Sequence, residues 1–228
     1  MTRGLRAVMV ASGAITFFSC GTTAHSRREA PPVAAAPLAA VTDPASVAEG
    51  KSLAARLFGR DTLTPDTRLL RYVAFVGRCV AGPARASGYH FAITQSDLPY
   101  ATAFPGGILV LSRGMLFQLS SEAELAVALS REICRSESGG SREFPGSASE
   151  GVDAAKEAEL DACGARLASQ AGYDAAAFLH LFGTLQERAT SVRERSDLDA
   201  RREAYRKLPE VSRGGKLLAE RFRSSAIL

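Results

Sequence analysis

The chain has 228 residues, 46% of them hydrophobic and 23% charged, a balance that excludes a largely disordered or membrane-embedded protein and suffices for one ordinary domain with an appendage. Net charge is +4, but the arginines are spread along the chain with acids beside most of them. There is no Trp, and no stretch interleaves basic with stacking residues, so a nucleic-acid partner is not expected.

At the N-terminus, Arg3 and Arg6 precede the apolar run AVMVASGAITFF. That run is shorter than the ~20 residues a membrane-spanning helix needs and fits the core of an export signal. Small Ser19 and Gly21 flank Cys20, and FFSCG resembles a bacterial lipobox, whose cysteine becomes the lipidated first residue of the mature protein. Phe17 and Phe18 depart from the usual Leu-Ala type residues there, and ordinary signal cleavage is the competing reading. The expectation is therefore a signal peptide over residues 1–20 with Cys20 lipidated, and a flexible tether rich in Ala, Pro, Thr and Ser over 21–45. A folded domain over 46–228 would then face the periplasm from a membrane anchor. Cys79, Cys134 and Cys163 permit one disulfide with one thiol left over, or three small buried hydrophobes; sequence alone does not choose.

PASVAEGKSLAARLFG reads as a short helix ended by Gly59. TPDTRLLRYVAFVGRCVAG reads as a second, with Pro65 in its first turn and an apolar stripe of Leu69, Tyr72, Val73, Val76 and Val80. The period then changes. YHFAIT alternates like a half-buried strand, PYATAF follows a turn, and PGG punctuates before the apolar run ILVLS, which together predict a small antiparallel sheet. Helices resume at SEAELAVALSREIC, where Ser121 and Glu124 form a capping-box signature and Leu125, Ala128, Leu129 and Ile133 share a face. The polar loop SESGGSREFPGSASEG leads to the helix VDAAKEAELDACGARLASQ, closed by Gly172. Asp174 caps the next helix, AAAFLHLFGTLQER. ATSVRERSDLDARREAYRKL is either an exposed helix or a mobile segment, and GGKLLAERFRSS closes the chain as a last helix.

The chemistry concentrates in ALSREICRSESGG. Its frame, Arg131-Glu132-x-x-Arg135, is that of the zinc-protease helix H-E-x-x-H, in which two imidazoles four residues apart reach one metal and the Glu polarises a water. Alone the pattern is weak, because R-E-x-x-R is common on surface helices. Its surroundings are more specific: LPYATAFPGGILVLSRGMLFQLSSEAELAVALSRE resembles the segment leading into the zinc helix of the HtpX/BepA-like membrane-associated metallopeptidases, which read N-A-F-A-x-P-G-G, an apolar strand, R-G-L-L and S-E-A-E-L-A-x-V-L-x-H-E-x-x-H. EAELDACGARLASQAGYDAAAF is similar to that family's E-x-x-A-D-x-x-G and A-G-Y-D-P helix pair, and TPDTRLLRYVAFVGRCVA to its N-terminal helix. The likeness spans roughly residues 45 to 225 and implies an α+β, mostly helical, zincin-like fold with a small antiparallel sheet. It places Glu132 at the family's general-base position and Arg131, Arg135 and Glu157 at its zinc-ligand positions, with Asp161 close by.

The departures fall on the positions that carry function. Arg131 and Arg135 replace both metal histidines, Tyr100 replaces the Asn of N-A-F-A, Leu208 replaces a histidine of H-P-x-x-x-R, and the loop between the two metal helices is short for the family. A guanidinium has no lone pair for a metal and stays protonated, so no metal is expected, although zinc is the family's cofactor. A structural clasp of Arg131, Arg135, Glu157 and Asp161, with a guanidinium bridging to Glu157 across the helices, is expected in its place. Cys134 is not a substitute ligand, His90 and His180 read as core histidines, and His25 falls in the tether. The resemblance further implies an extended peptide lying along Tyr100, Ala101, Thr102, Ala103 and Phe104, provided the polar segment 188–206 does not block that edge. The reading is a pseudopeptidase anchored in the cell envelope that binds an envelope protein or peptide; the alternative is an active zinc endopeptidase with an atypical site.

Overall fold

The computed structural model describes residues 39–83, 85–145, 153–189 and 191–226. The signal peptide, Cys20, His25 and residues 21–38 of the tether lie outside the described residues. The tether expectation fails at its end, because Ala39–Thr42 forms a short helix α1 and Val41 is buried in the main core. Asp43 then caps α2 (Pro44–Arg60) by accepting from Ser46 N, and Gly59 sits inside this helix rather than ending it. Helix α3 (Thr67–Ala81) is capped by Asp66, so Pro65 precedes the cap and is not in the first turn. Its expected stripe turns inward at Leu69, Val73, Val76 and Val80, with Tyr72 half-buried beside them.

Strands β1 (His90–Thr94), β2 (Ala101–Phe104) and β3 (Ile108–Ser112) form one sheet in the order β1-β3-β2. The expected antiparallel sheet is corrected: β2 and β3 are antiparallel, but β1 and β3 are parallel. The reason is burial. ILVLS is apolar on both faces, and all five residues of β3 are buried, so it takes the centre and leaves the edges to the other two. The chain reverses twice between β1 and β3, the second time at Gly106 and Gly107 with φ near +72° and +77°, so β3 runs the same way as β1. Residues 62–64 cover the outer edge of β1, where Thr64 N donates to Ile93 O and Gln95 N to Thr62 O.

One sheet face packs Phe104, Ile108 and Val110 on Ala54 and Leu57 of α2. The other packs Ile93, Ala103, Leu109 and Leu111 into the main core with α3 and α5 (Glu122–Glu137). A four-residue helix α4 (Arg113–Leu116) links β3 to α5. Of the sixteen residues of α5, all but Arg131, Arg135 and Glu137 are buried, so the helix is central rather than amphipathic. Ser121 caps it through Glu124 N, but the Glu124 carboxylate accepts from Ser120 N, one residue before the reciprocal capping-box position.

Helix α6 (Ala154–Gln170) lies against α5, and α7 (Phe178–Arg188) and α8 (Val192–Arg206) follow, with the single turn α9 (Pro209–Ser212) after them. The segment ATSVRERSDLDARREAYRKL is a helix that buries Leu198 and Tyr205. The last helix, α10, is shorter than expected (Ala219–Ser225): the chain before it is non-helical, with Lys216 N donating to Gly172 O, Ala123 N donating to Leu217 O, and Leu218 in the left-handed region at φ 51°. That last bond satisfies a donor in the first turn of α5. His90 and His180 are both exposed, which corrects their reading as core histidines.

The fully buried Glu122 ties the N-terminus of α5 to three other parts of the chain. It accepts from Tyr72 OH at 2.8 Å, Tyr173 OH at 2.7 Å and Arg221 Nε at 2.6 Å, and Arg221 Nη2 reaches its other oxygen. Burial alone would push this carboxyl up, but the hydrogen bonds from Arg221, Tyr173 and Tyr72 outweigh it and hold the pKa below the ordinary value. A carboxyl with a depressed folded pKa adds stability above its unfolded pKa of about 4.3 and loses it as pH falls through the folded value. Unfolding free energy is expected to drop with acidification below about pH 4.3. Glu122→Gln should lower stability at neutral pH and flatten that acid slope, as measured by urea melts across pH.

Candidate functional site

Three positions on α6, Glu157, Asp161 and Gly164, recur at spacings of four and three and so face α5 as one stripe. Gly164 favours the close approach: a Cβ there would stand 3.0 Å from both Cα and N of Arg131, so any other residue would push the helices apart by a few tenths of an ångström. Asp153 begins α6 by accepting from Ala155 N and Lys156 N, which fixes the phase of that stripe. On α5, Arg131 and Arg135 are one turn apart and point across to it, with Glu132 fully buried between them.

The result is a clasp of three guanidiniums and three carboxylates. Arg131 spans all three acids: Nε donates to Asp161 Oδ1 at 2.7 Å, Nη1 to Glu132 Oε1 at 2.7 Å, and Nη2 to Glu157 Oε2. Arg135 makes the two-pronged bridge to Glu157, with Nη1 3.0 Å from Oε1 and Nη2 3.1 Å from Oε2, while its Nε donates to Glu132 Oε2 at 2.9 Å. Arg201 of α8 closes the set, donating from Nε and Nη2 to the two Asp161 oxygens at 2.8 and 2.9 Å. Burial would push the Arg131 guanidinium down, but Glu132 and Asp161 outweigh it and hold the pKa above its ordinary value. The three cations and three anions sum to zero.

Arg201 was not among the residues expected here. Its signal was present in the sequence: Leu198 and Tyr205 are the buried pair of α8, and Arg201 lies between them at helical spacing, on the face that must turn inward. Phe182 supports it, with the Arg201 guanidinium 5.6 Å from the ring centroid. Beside the clasp, Cys134 of α5 and Cys163 of α6 form a disulfide with Cα atoms 6.2 Å apart, and Cys79 is free and exposed. A closed loop of this size restricts the unfolded chain by about 2–4 kcal/mol.

Arg135 and Glu157 also line a groove of about 520 Å³ that reaches Tyr100, Ala101 and Thr102. The expected peptide edge is only partly available. Tyr100 is buried, its hydroxyl bonded to Thr94 at 2.6 Å and to Asp61 at 2.8 Å, and Thr102, Ala103 and Phe104 are buried as well. Ala103 O, on the outer side of β2, already accepts from Ser141 N at 2.7 Å. The segment carrying Ser141 is tied down by Arg142 on Glu49, Phe144 on Phe104, and Arg60 Nη2 donating to Pro145 O. Ala101, two residues from Ala103, directs its backbone to the same outer side and is half-buried. Among the described residues it is therefore 141–145, not 188–206, that narrows the groove; α8 packs on α6 and α7 instead. Leu208 stands as the N-cap of α9, packed against the core.

Chemically, the clasp binds charge to charge and leaves little else free. Both Glu132 oxygens accept guanidinium N–H groups, and the side chain is buried away from water. Among the described residues no group of three His, Cys, Asp or Glu side chains is placed to hold a metal ion. Arg131 and Arg135 present guanidinium nitrogens, which have no lone pair to give a metal ion. Fold and site together define an α+β, mostly helical protein built around a neutral six-charge clasp. No protein-family model matches the chain, and no curated protein matches it.

Removing one partner from such a buried set strands the others. Arg131→Met is expected to lower unfolding free energy by about 3–5 kcal/mol. Arg142→Met, which breaks the exposed pair with Glu49 and a long 3.5 Å bond to Gly139 O, should change it by about 0–1 kcal/mol. Guanidinium chloride melts of the two variants would make the comparison.

Proposed function

We propose that this chain is a pseudopeptidase of the HtpX/BepA-like kind, exported and lipid-anchored in the cell envelope, that binds protein or peptide without zinc-dependent cleavage. The observation that carries the reading is the hold of Arg131 and Arg135 on Glu132 and Glu157, the general-base and third-ligand positions of the resemblance. On this reading guanidinium replaces metal and the site needs no cofactor. The helix pair keeps its spacing by ion pairing and by the Cys134–Cys163 disulfide, a bond that suits an oxidising compartment. The groove above Arg135 and Glu157 ends at the outer edge of β2, where Ala101 offers backbone groups for strand addition.

The first test is the metal content of the purified full chain beside Arg131→His/Arg135→His. The wild type is expected to carry no stoichiometric zinc and the double variant to gain it, since Glu157 would then complete a two-His, one-Glu set. Stoichiometric zinc in the wild type would overturn the reading.

Binding is tested separately, with unstructured peptides from a random library. Ala101→Pro removes one backbone donor from an edge strand, where proline is tolerated. It is expected to weaken peptide capture while leaving the thermal midpoint nearly unchanged; capture that ignores the substitution would place the binding surface elsewhere.

A further inference from the structure

We propose that the outward face of α3, with the adjoining end of α10, docks on an anionic lipid bilayer. Helix α3 carries three arginines and no acid. With Leu69, Val73, Val76 and Val80 turned into the core, Arg68, Arg71, Phe75 and Arg78 are left on one exposed stripe at spacings of three, four and three. Phe75 stands at its middle, 51% exposed.

The charges on this face are not neutralised locally. Asp66, at the helix start, is engaged as the cap, accepting from Arg68 N and Leu69 N. Arg71 Nε turns back to its own helix at Thr67 O. Arg78 has no acidic partner among the described residues. Arg68 Nη2 donates to Ser224 O at 3.5 Å, which brings α10 alongside and adds the exposed Arg223. Arg221, whose guanidinium lies 5.9 Å from the Phe75 ring centroid, is already paired with Glu122. Glu220 is the exposed acid of α10.

An aromatic ring flanked by unpaired guanidiniums matches the boundary of a bilayer, where the arginines meet lipid phosphates and the ring enters the acyl margin. The face is a helix ridge, and neither the groove beside β2 nor a second cavity, lined by Cys134 and Cys163, includes a residue of α3. A planar membrane needs no concavity, whereas a folded acidic partner would need complementary relief. The inference uses neither the clasp nor the groove, so it stands or falls apart from the peptide-binding reading.

The chain contains no Trp, so Phe75→Trp gives a single fluorescent reporter, placed in residues 21–228 so that neither the apolar run of the expected signal nor Cys20 contributes to vesicle binding. Val192→Trp, at an 83% exposed position on α8, is the control. With vesicles containing phosphatidylglycerol, Phe75→Trp emission is expected to shift to the blue. It should stay unshifted with phosphatidylcholine alone, and Val192→Trp should stay unshifted with both. Arg71→Gln/Arg78→Gln is expected to lower the partition coefficient roughly 30-fold, and high salt to abolish the difference. Arg71, Phe75, Arg78 and Val192 are exposed, and circular dichroism checks that each variant folds. Equal partitioning into neutral vesicles, an equal shift of the Val192→Trp reporter, or indifference to the arginine substitutions would overturn the proposal. Arginine-dependent binding of soluble polyglutamate without vesicle binding would also overturn it and make the face a protein-docking surface.

Discussion

A helix buried on every side that nevertheless carries six charged residues is the constraint on which the rest of this structure depends. Glu122, Glu124, Arg131, Glu132, Arg135 and Glu137 all lie on α5, and a charge removed from water is tolerable only if it is paired and hydrogen-bonded. Several neighbouring elements therefore bring partners. Helix α3 supplies Tyr72, the turn after α6 supplies Tyr173, and α10 supplies Arg221, all to Glu122. Helix α6 supplies Glu157 and Asp161, α8 supplies Arg201, and the segment before β1 supplies Arg85 and Tyr89 to Glu137. The packing order of the helices is thus also an order of charge matching.

Such a network contributes less to net stability than to uniqueness. Bringing six charged groups together out of water costs much of what their attraction returns, and a well-packed apolar core of the same volume is often as stable. What ion pairing adds at this crossing is register. Arg131 reaches all three carboxylates with Gly164 lying against its backbone, and sliding α6 by one turn would bring Leu160 or Ala168 to the place where the two backbones meet. The Cys134–Cys163 disulfide holds the same helix pair together covalently. On the proposed reading, a site whose chemistry once required exact placement of ligands keeps that placement for a mechanical purpose.

The sheet shows how the same chain manages its edges. β3 is shielded by both neighbours, the outer side of β1 is covered by residues 62–64, and the outer side of β2 is covered at Ala103 by Ser141. What remains is a short stretch at Ala101 opening onto the groove, too little to template aggregation and enough for a few backbone hydrogen bonds to a visitor. Selectivity would then rest on the groove lining of Arg142, Glu143 and Lys156 beside it, groups of both signs rather than a single field.

Much of this was legible in the sequence, because local signals act through local physics. The caps at Ser121 and Asp174, the stripe of α3 and the apolar run ILVLS announced helices and a strand, since each depends on neighbours a turn or a residue away. The pairing of opposite charges at Arg131, Arg135, Glu157 and Asp161 followed from chemistry once two helices were expected to meet. Tertiary structure alone decided the rest. Whether β1 runs parallel or antiparallel to β3 depends on which strand takes the centre, and that choice is made by what covers each face. The entry of Arg201 depends on a polar helix finding its two buried anchors, Leu198 and Tyr205, and the closing of half the β2 edge depends on a loop held by Glu49 and Phe104, far away in sequence. Local propensity is written residue by residue, whereas partners across long chain separations are selected only when the whole core is buried at once.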